Sequence, residues 1–322
     1  MGAAHAANYA SLGSRVRVKT VLSLGSERSR KLAASLGARL VEDLDEAVSD
    51  PEVDAVDVCL PTYLHREAAE KAFASGRHVF LEKPIALSPE DADAILAAAD
   101  RSKRVLMVGL VLRFWPEYAE LHRLVAVGEL GRPLAVSTYR LSPPADWNQW
   151  MGDESFSGGV AVDVLVHDLD QMNWLLGRAL TVFARRPSPG HVMAILEYES
   201  GACGLAEASL AMPGSYPFSS NIRVLCDNGV AEYAFAAMPA EEGGNIGRSQ
   251  SERGLRLYPS GGEARTVPVE AADPWGPEIA YFVECLEQGC MPEQGSGEQA
   301  RAGLLVSLAV NRSLASGLVE AV

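Results

Sequence analysis

The chain is short of several things, and each shortage excludes something. It has 5 cysteines in 322 residues: Cys59, Cys203, Cys226, Cys285 and Cys290. No two stand as C-x-x-C, so the pattern is neither a disulfide framework nor a zinc site. Most read as small buried hydrophobes of a reducing cytoplasm. Basic residues are outnumbered, 28 against 42 acidic, for a net charge of −14. A surface this acidic repels phosphate backbones and argues against a nucleic-acid partner, although it leaves room for a local basic pocket. The apolar runs, such as Gly303-Leu-Leu-Val-Ser-Leu-Ala-Val, are too short to span a bilayer. The N-terminal MGAAHAANYA lacks the basic start and apolar core of a signal peptide. The expectation is a cytoplasmic protein with no membrane partner. No internal repeat or low-complexity tract is present. What remains is an ordinary globular balance, 48% hydrophobic and 22% charged, with a length that suits about two domains.

The first 115 residues alternate apolar runs with helical patterns. Strands are expected at Val16–Leu22, Ala55–Leu60, His78–Leu81 and Val105–Val108. Helices are expected at Glu27–Leu36, Glu42–Ser49, Leu64–Ser75 and from Ser88 to about Asp100. Gly76 suits a helix C-cap, and Ser88-Pro89 suits an N-cap followed by Pro at the first helical position. Such alternation means βαβ units and a parallel sheet. After Pro116 the character changes. A helix over Glu117–Val127 and a strand over Leu134–Leu141 are followed by strands without intervening helices: Leu180–Arg185, His191–Tyr198, Cys203–Leu210, Asn221–Cys226 and Gly229–Phe235. Turns of Gly, Asn and Pro between them imply an antiparallel sheet. Gly243–Arg253 reads as a polar, Gly-rich mobile loop. Two helical patterns, Pro277–Glu287 and Glu298–Ser316, close the chain. The expected fold class is α/β. A parallel-sheet domain over residues 1–115 precedes an α+β domain with an open, mostly antiparallel sheet over 116–322. The last helix is expected to pack back on the first domain.

Three constellations carry chemistry. In Val79-Phe-Leu-Glu-Lys-Pro-Ile-Ala-Leu, a strand ends in Glu82-Lys83-Pro84 at the carboxyl edge of the sheet, where open α/β sheets bind ligands. A lysine there can lose a proton when partly buried, or donate to a substrate oxygen. On spacing alone, a surface lysine beside a turn proline is the commoner case. In Ser157-Gly-Gly-Val-Ala-Val-Asp163-Val-Leu-Val-His167-Asp168-Leu-Asp170, Asp163 and His167 are four apart, and one helix would place them on one face. Asp can orient or charge an imidazole that titrates near neutrality. A core histidine is again the commoner case. As metal ligands the two lack a third partner at a telling distance, so no metal is expected. In Cys59-Leu-Pro61-Thr62-Tyr-Leu-His65, a buried strand gives way to a helix whose N-terminus suits a phosphate or ribose.

Together, in this order and at these separations, the motifs resemble the Gfo/Idh/MocA family of NAD(P)-dependent oxidoreductases, the sugar and polyol dehydrogenases. The resemblance covers nearly the whole chain. It includes Pro61 and His65, Glu82-Lys83-Pro84, Gly109-Leu-Val-Leu-Arg113-Phe-Trp-Pro116, and the segment from Ser157 to Asp170. It implies a Rossmann domain followed by an α+β domain. It implies Lys83, Asp163 and His167 as the catalytic set, with a Lys83-Pro84 peptide that is often cis. Pro61, Thr62 and His65 would line the cofactor, Glu82 would lie near the nicotinamide ribose, and Arg113 near nicotinamide or substrate. Trp147 is a candidate wall for a sugar, although its loop is also readable as a lid or a packing loop. The reaction implied is hydride transfer between nicotinamide and a carbinol carbon of a sugar, inositol or similar polyol. His167 would move the hydroxyl proton, while Lys83 and Asp163 would steer and stabilise charge. A homodimer or homotetramer formed through the open sheet face is the implied assembly.

Two departures from the family pattern stand out. The family opens with a strand and G-x-G-x-x-G, whereas here Gly2 and His5 match only the end of that motif. A start assigned too far downstream is the favoured explanation, and the chain as written is expected to bind dinucleotide weakly or not at all. The next strand ends at Ser23, where an acidic residue for the NAD ribose is usual. Loss of that carboxylate, with Arg28 nearby, leans weakly towards NADP. Two alternatives stand beside the dehydrogenase. One is a non-catalytic truncated paralogue. The other keeps the fold and uses transient NAD oxidation for elimination or hydrolysis.

Overall fold

A computed structural model of the chain describes residues 1–144, 153–239, 246–249, 254–270 and 273–322. The chain divides into two compact units. One comprises Met1–Trp115 with Ala272–Arg301, and the other Pro116–Ala271 with Ala302–Val322.

The first unit begins with helix α1 (Gly2–Ser11), which the sequence pattern does not announce: the helix has no side-chain cap and no charged residue in its end turns. Next come β1 (Thr20–Leu22), α2 (Glu27–Leu36), β2 (Arg39–Val41), α3 (Leu44–Ser49) and β3 (Ala55–Val58). These lead to α4 (His65–Ala74), β4 (His78–Leu81), α5 (Pro89–Ser102) and β5 (Leu106–Val108). Local chemistry sets the helix ends. Ser26 caps α2 by accepting from the Ser29 N–H, and α2 stops at Gly37 in the left-handed region. Ser88 caps α5 by accepting from the Asp91 N–H, with Pro89 at its first position. The expected Val16–Leu22 strand shortens to three residues, because its ladder partner β2 pairs only with Thr20–Leu22, although Val16 is already extended.

All ladders in this unit are parallel, but they form two sheets: β1-β2 and β3-β4-β5. Among the described residues no ladder joins β1 to β3. Interior strands of a parallel sheet are normally covered on both faces. Val79, Phe80 and Leu81 of β4 are fully buried. Only Val58 of β3 is buried, and β1 is half-exposed throughout. The core of this unit is Phe80, Val105, Met107 and Phe282. The Phe80 ring meets both Phe282 and His5 edge-on, at 5.4 Å between centroids.

The second unit contains α6 (Pro116–Ala126), β6 (Pro133–Leu141), α7 (Glu154–Ser157), α8 (Gly159–Asp163) and α9 (Val166–Leu176). Strands β7 (Ala179–Ser188), β8 (His191–Tyr198), β9 (Cys203–Ser209), β10 (Phe218–Cys226), β11 (Gly229–Pro239), β12 (Ile246–Ser249), β13 (Gly254–Pro259) and β14 (Arg265–Val267) follow. Helix α10 (Trp275–Gln288) belongs to the first unit. Helix α11 (Gly297–Ser316) is divided between the units after Arg301, and β15 (Glu320–Ala321) ends the chain. The sheet order is β14-β13-β11-β10-β6-β9-β8-β7-β15, with β12 on β11. Every neighbour is antiparallel except β6 with β9. Helices α6, α8 and α9 pack against strands of this sheet. Along β8 burial alternates: Val192, Ala194 and Leu196 are buried, whereas Met193 and Ile195 are 42% and 55% exposed. Within the expected Gly243–Arg253 loop, Ile246–Ser249 is a strand, and the remainder lies outside the described residues.

Candidate active site

The first unit gathers chemistry where β3 and β4 end. Beyond β3 the chain turns through Cys59-Leu60-Pro61, forms a 3-10 turn at Thr62–Leu64 and enters α4 at His65. His65 is 1% exposed. Its Nδ1 lies 2.9 Å from the Pro84 carbonyl oxygen and its Nε2 2.9 Å from that of Leu60. Desolvation lowers its pKa, and the backbone carbonyls only partly offset that. A buried imidazole between two carbonyls acts as a brace between the β3 turn and the β4 turn. Thr62 is buried beside it, and Pro61 is the residue before the 3-10 turn.

At the end of β4 the Glu82 N–H donates to the Val58 carbonyl at 3.0 Å. The Glu82 carboxylate then accepts the backbone N–H of Lys83 at 3.0 Å, and the Lys83-Pro84 peptide is cis. Gly109 lies against this carboxylate: a β-carbon there would sit 3.5 Å from Glu82 Oε2. Behind it His5 places Nε2 3.1 Å from Glu82 Oε1 and Nδ1 2.9 Å from Asp57 Oδ2. Burial opposes charge on His5, but the Asp57 carboxylate, through its field and its hydrogen bond, reverses this and raises the pKa far above the usual imidazole value. Burial pushes the Glu82 pKa up. The hydrogen bond and charge of His5, with the Lys83 ammonium, outweigh it and hold the carboxyl below its usual range. Desolvation, with Asp57 beside it, pushes the Cys59 thiol up to about 12. Arg113, in the 3-10 turn Val111–Arg113, is 5% exposed.

The second unit presents the Ser157–Asp170 segment. Asp153 caps α7, and Gly158 ends it at φ 74°. A β-carbon on Gly158 would lie 2.6 Å from the Val162 Cβ, so the turn requires glycine. Asp163 and His167 do not share the single helix that their spacing suggests. Helix α8 stops at Asp163 and α9 starts at Val166, with Val164 at φ −109° between them. Asp163 is 6% exposed and Asp168 fully buried. Asp168 takes a two-pronged ion pair from Arg140 of β6, at 2.8 and 3.2 Å, which ties α9 to the sheet. Trp147 lies outside the described residues.

Reasoning from sequence missed Asp57, Glu278, Glu42 and Arg140. Asp57 had a signal: a carboxylate inside the apolar run Ala55–Val58. Glu278 had one too, since it occupies the buried face of α10; it is fully buried, and neither oxygen has a hydrogen-bond partner. Glu42 is found only by the fold. It stands directly after β2, where its Oε1 would be 2.6 Å from a β-carbon on Gly25 in the loop after β1. Ser23, at the end of β1, donates its N–H to the Val41 carbonyl at 3.0 Å.

A βαβ unit with charged groups at the carboxyl ends of its strands, beside a second unit built on a mostly antiparallel sheet, is an architecture suited to a dinucleotide-dependent enzyme. Residues 1–110 match an oxidoreductase family with an NAD-binding Rossmann fold, and residues 118–232 match the GFO/IDH/MocA C-terminal domain. The chain belongs to the GFO/IDH/MocA family of oxidoreductases. It is 27% identical over 311 residues to the scyllo-inositol 2-dehydrogenase (NAD(+)) of Bacillus subtilis, covering 90% of this chain and 84% of that protein. It is 29% identical over 317 residues to the 1,5-anhydro-D-fructose reductase of Ensifer adhaerens, covering 93% and 89%. In fold it is similar to a levoglucosan dehydrogenase in complex with NADH and levoglucosan. That likeness has a TM-score of 0.83 at 21% identity and covers 100% of this chain and 96% of that one. No described helix is long and apolar enough to cross a membrane.

Proposed function

We propose that the protein transfers hydride between a nicotinamide dinucleotide and a carbinol or carbonyl carbon of a sugar, inositol or related polyol. The observation that carries the reading is the Glu82-Lys83-Pro84 turn. A buried carboxylate fixes the Lys83 amide at the carboxyl end of a parallel strand, in a chain of this family. The residues present fit a dinucleotide. Helix α1 has no side-chain cap and no acidic residue in its first turn, and its internal bonds begin with the Ala4 N–H to the Met1 carbonyl, which suits an anion ahead of Ala4. Pro61 and Thr62 lie at the head of the neighbouring turn. When bound, the nicotinamide supplies or accepts the hydride. His167 moves the hydroxyl proton of the substrate. Lys83 donates to the reacting oxygen, and Asp163 with it steers the substrate and stabilises charge. Arg113 supplies a fixed positive charge to the same reaction.

For the cofactor, the lean towards NADP finds no support: the scyllo-inositol 2-dehydrogenase is named for NAD(+), and the levoglucosan dehydrogenase is in complex with NADH. We read Glu42 as the group that favours NAD. Its carboxylate stands beside the loop after β1, next to Ser23, and repels a 2′-phosphate. Nicotinamide absorbance at 340 nm, followed with NAD+ and a panel of scyllo-inositol, myo-inositol and levoglucosan, tests the reading. Turnover with net NADH formation supports it. Product without net change in cofactor supports elimination or hydrolysis through transient oxidation instead. A second reading, weak cofactor binding by a non-catalytic chain, is favoured by one observation: the parallel strands form two sheets with no ladder between β1 and β3. Titration of NAD+ into this chain distinguishes it, since saturation in the micromolar range rules it out. For assembly, we propose that two copies meet through the exposed face of the large sheet. There Ile195 stands in register with Leu205, both exposed, with Met193 and Leu225 on neighbouring rows.

A further inference from the structure

We propose that Asp57, His5 and Glu82 form a positioning relay for Lys83, in which His5 serves as the internal cation and not as a contact to the cofactor. The inference rests on the proposed role of Lys83.

His5 is 1% exposed, and its two ring nitrogens are both committed, one to Asp57 at 2.9 Å and one to Glu82 at 3.1 Å. A neutral imidazole would turn a bare lone pair towards one of the two carboxylates, which is repulsive, whereas the imidazolium turns an N–H and its positive charge towards each. Glu82 then uses its other oxygen to accept the Lys83 backbone N–H at 3.0 Å. The chain of contacts therefore runs from β3 through α1 to the residue proposed to meet substrate. The outer links are charge-assisted hydrogen bonds, from His5 Nδ1 to Asp57 and from the Lys83 N–H to Glu82, and the middle one is an ion-pair contact of 3.1 Å between His5 Nε2 and Glu82 Oε1 that lacks hydrogen-bond alignment.

The surroundings agree with this polarity. The groups facing His5 are Asp57 and Cys59 from β3 and its turn, and Glu82 with Lys83 from the end of β4. Tyr9 of α1 faces Asp57, and Glu278 of α10 faces Glu82, His5 and Asp57. Burial, with the field of Glu82 added, drives the Glu278 carboxyl well above its usual range, which favours its protonated form. The edge of Phe80 closes the remaining side of the ring. In this arrangement the backbone of Lys83 is set by charge balance two residues away from its own side chain. Displacing such a group by about 1 Å costs about 10²-fold in rate.

The test uses the full chain with 13C-labelled histidine. His5 is assigned among the six histidines as the signal missing in His5→Gln. In the wild type its resonances are expected to remain those of imidazolium from pH 6 to 9. In Asp57→Asn they are expected to titrate within that window. Steady-state rates with NAD+ and the best polyol of the panel supply the second readout. Asp57→Asn is expected to gain a falling alkaline limb, with kcat about tenfold below wild type at pH 9 and KM for the polyol within about threefold. Asp57→Glu is expected to restore the wild-type profile. Titration of wild-type His5 near 6.5 overturns the relay. So does an Asp57→Asn profile identical to wild type while Lys83→Ala is inactive. Full activity of Lys83→Ala overturns the site reading itself, and so separates the two failures.

Discussion

The two units handle a buried charge in different ways. In the first, an imidazolium stands between two carboxylates, and the partner Asp57 is still 19% exposed. In the second, Arg140 grips Asp168 with side chains 9% and 0% exposed. The guanidinium keeps its charge, so that pair can be loosened only through Asp168, whose carboxyl is raised above its usual range by burial against the pull of Arg140. The imidazole is charged only because its neighbours make it so. The difference separates a fixed structural clamp from a device whose charge can be changed, and the changeable one adjoins the proposed catalytic lysine.

The sharpest way to break the comparison is to remove one element from each side. Lys83→Ala is expected to lower kcat by about 10³-fold while leaving the unfolding midpoint nearly unchanged, since the side chain belongs to chemistry and not to the core. An unaltered rate constant sinks the assignment. Asp168→Ala should do the reverse. It strands a buried guanidinium and is expected to cost the second unit about 3–5 kcal/mol, read as a large drop in its urea midpoint. Stability within 1 kcal/mol of wild type, on the order of a surface pair, contradicts the clamp.

A smaller effect probes how the second unit shapes its own site. Gly158 sits at φ 74° with Val162 crowding the β-carbon position. Gly158→Ala is expected to cost about 2 kcal/mol and to shift the α7–α8 turn. The same change at Gly201, also at positive φ but with open space around it, should cost less. Equal losses at both positions would show that backbone conformation alone, and not the contact with Val162, makes Gly158 necessary.

Much of this was legible in residues, and what was not has a physical reason. The strand–helix alternation, the Glu82-Lys83-Pro84 turn and the antiparallel run from His191 to Cys226 follow from period and turn chemistry, which are local. Helix α1 has no caps and few periodic apolar positions, so only its packing reveals it. Asp163 and His167 have helical spacing, yet a break at Val164 separates their helices, and spacing cannot report a break. Glu42 and Ser23 are 19 residues apart in sequence and come to the same sheet edge only because β1 and β2 run in register. His5 matched a motif by position. Its partners, Asp57 and Glu82, are 52 and 77 residues away, a distance that no window of sequence spans.

The smallest effect distinguishes the two charge devices most directly, because it is one of sign. His5 has a folded pKa raised above its unfolded value of 6.5, so its stabilisation is present in full below pH 6.5 and is lost as pH rises towards the folded value. Glu82 has a folded pKa below its unfolded value of 4.5, so its contribution is present above pH 4.5 and is lost as pH falls towards the folded one. The first unit should therefore be most stable between these limits. Above pH 6.5 its unfolding free energy should fall by at most about 1.4 kcal/mol per pH unit from this one group. Arg140 contributes no such slope, because the guanidinium keeps its proton throughout the range. Urea midpoints of the first unit between pH 6.5 and 8.5 measure the effect, with His5→Gln as the subtraction that removes every other titrating group. A wild-type slope no steeper than that of His5→Gln would mean that the imidazole is neutral in the folded protein, and the contrast between the two units would vanish.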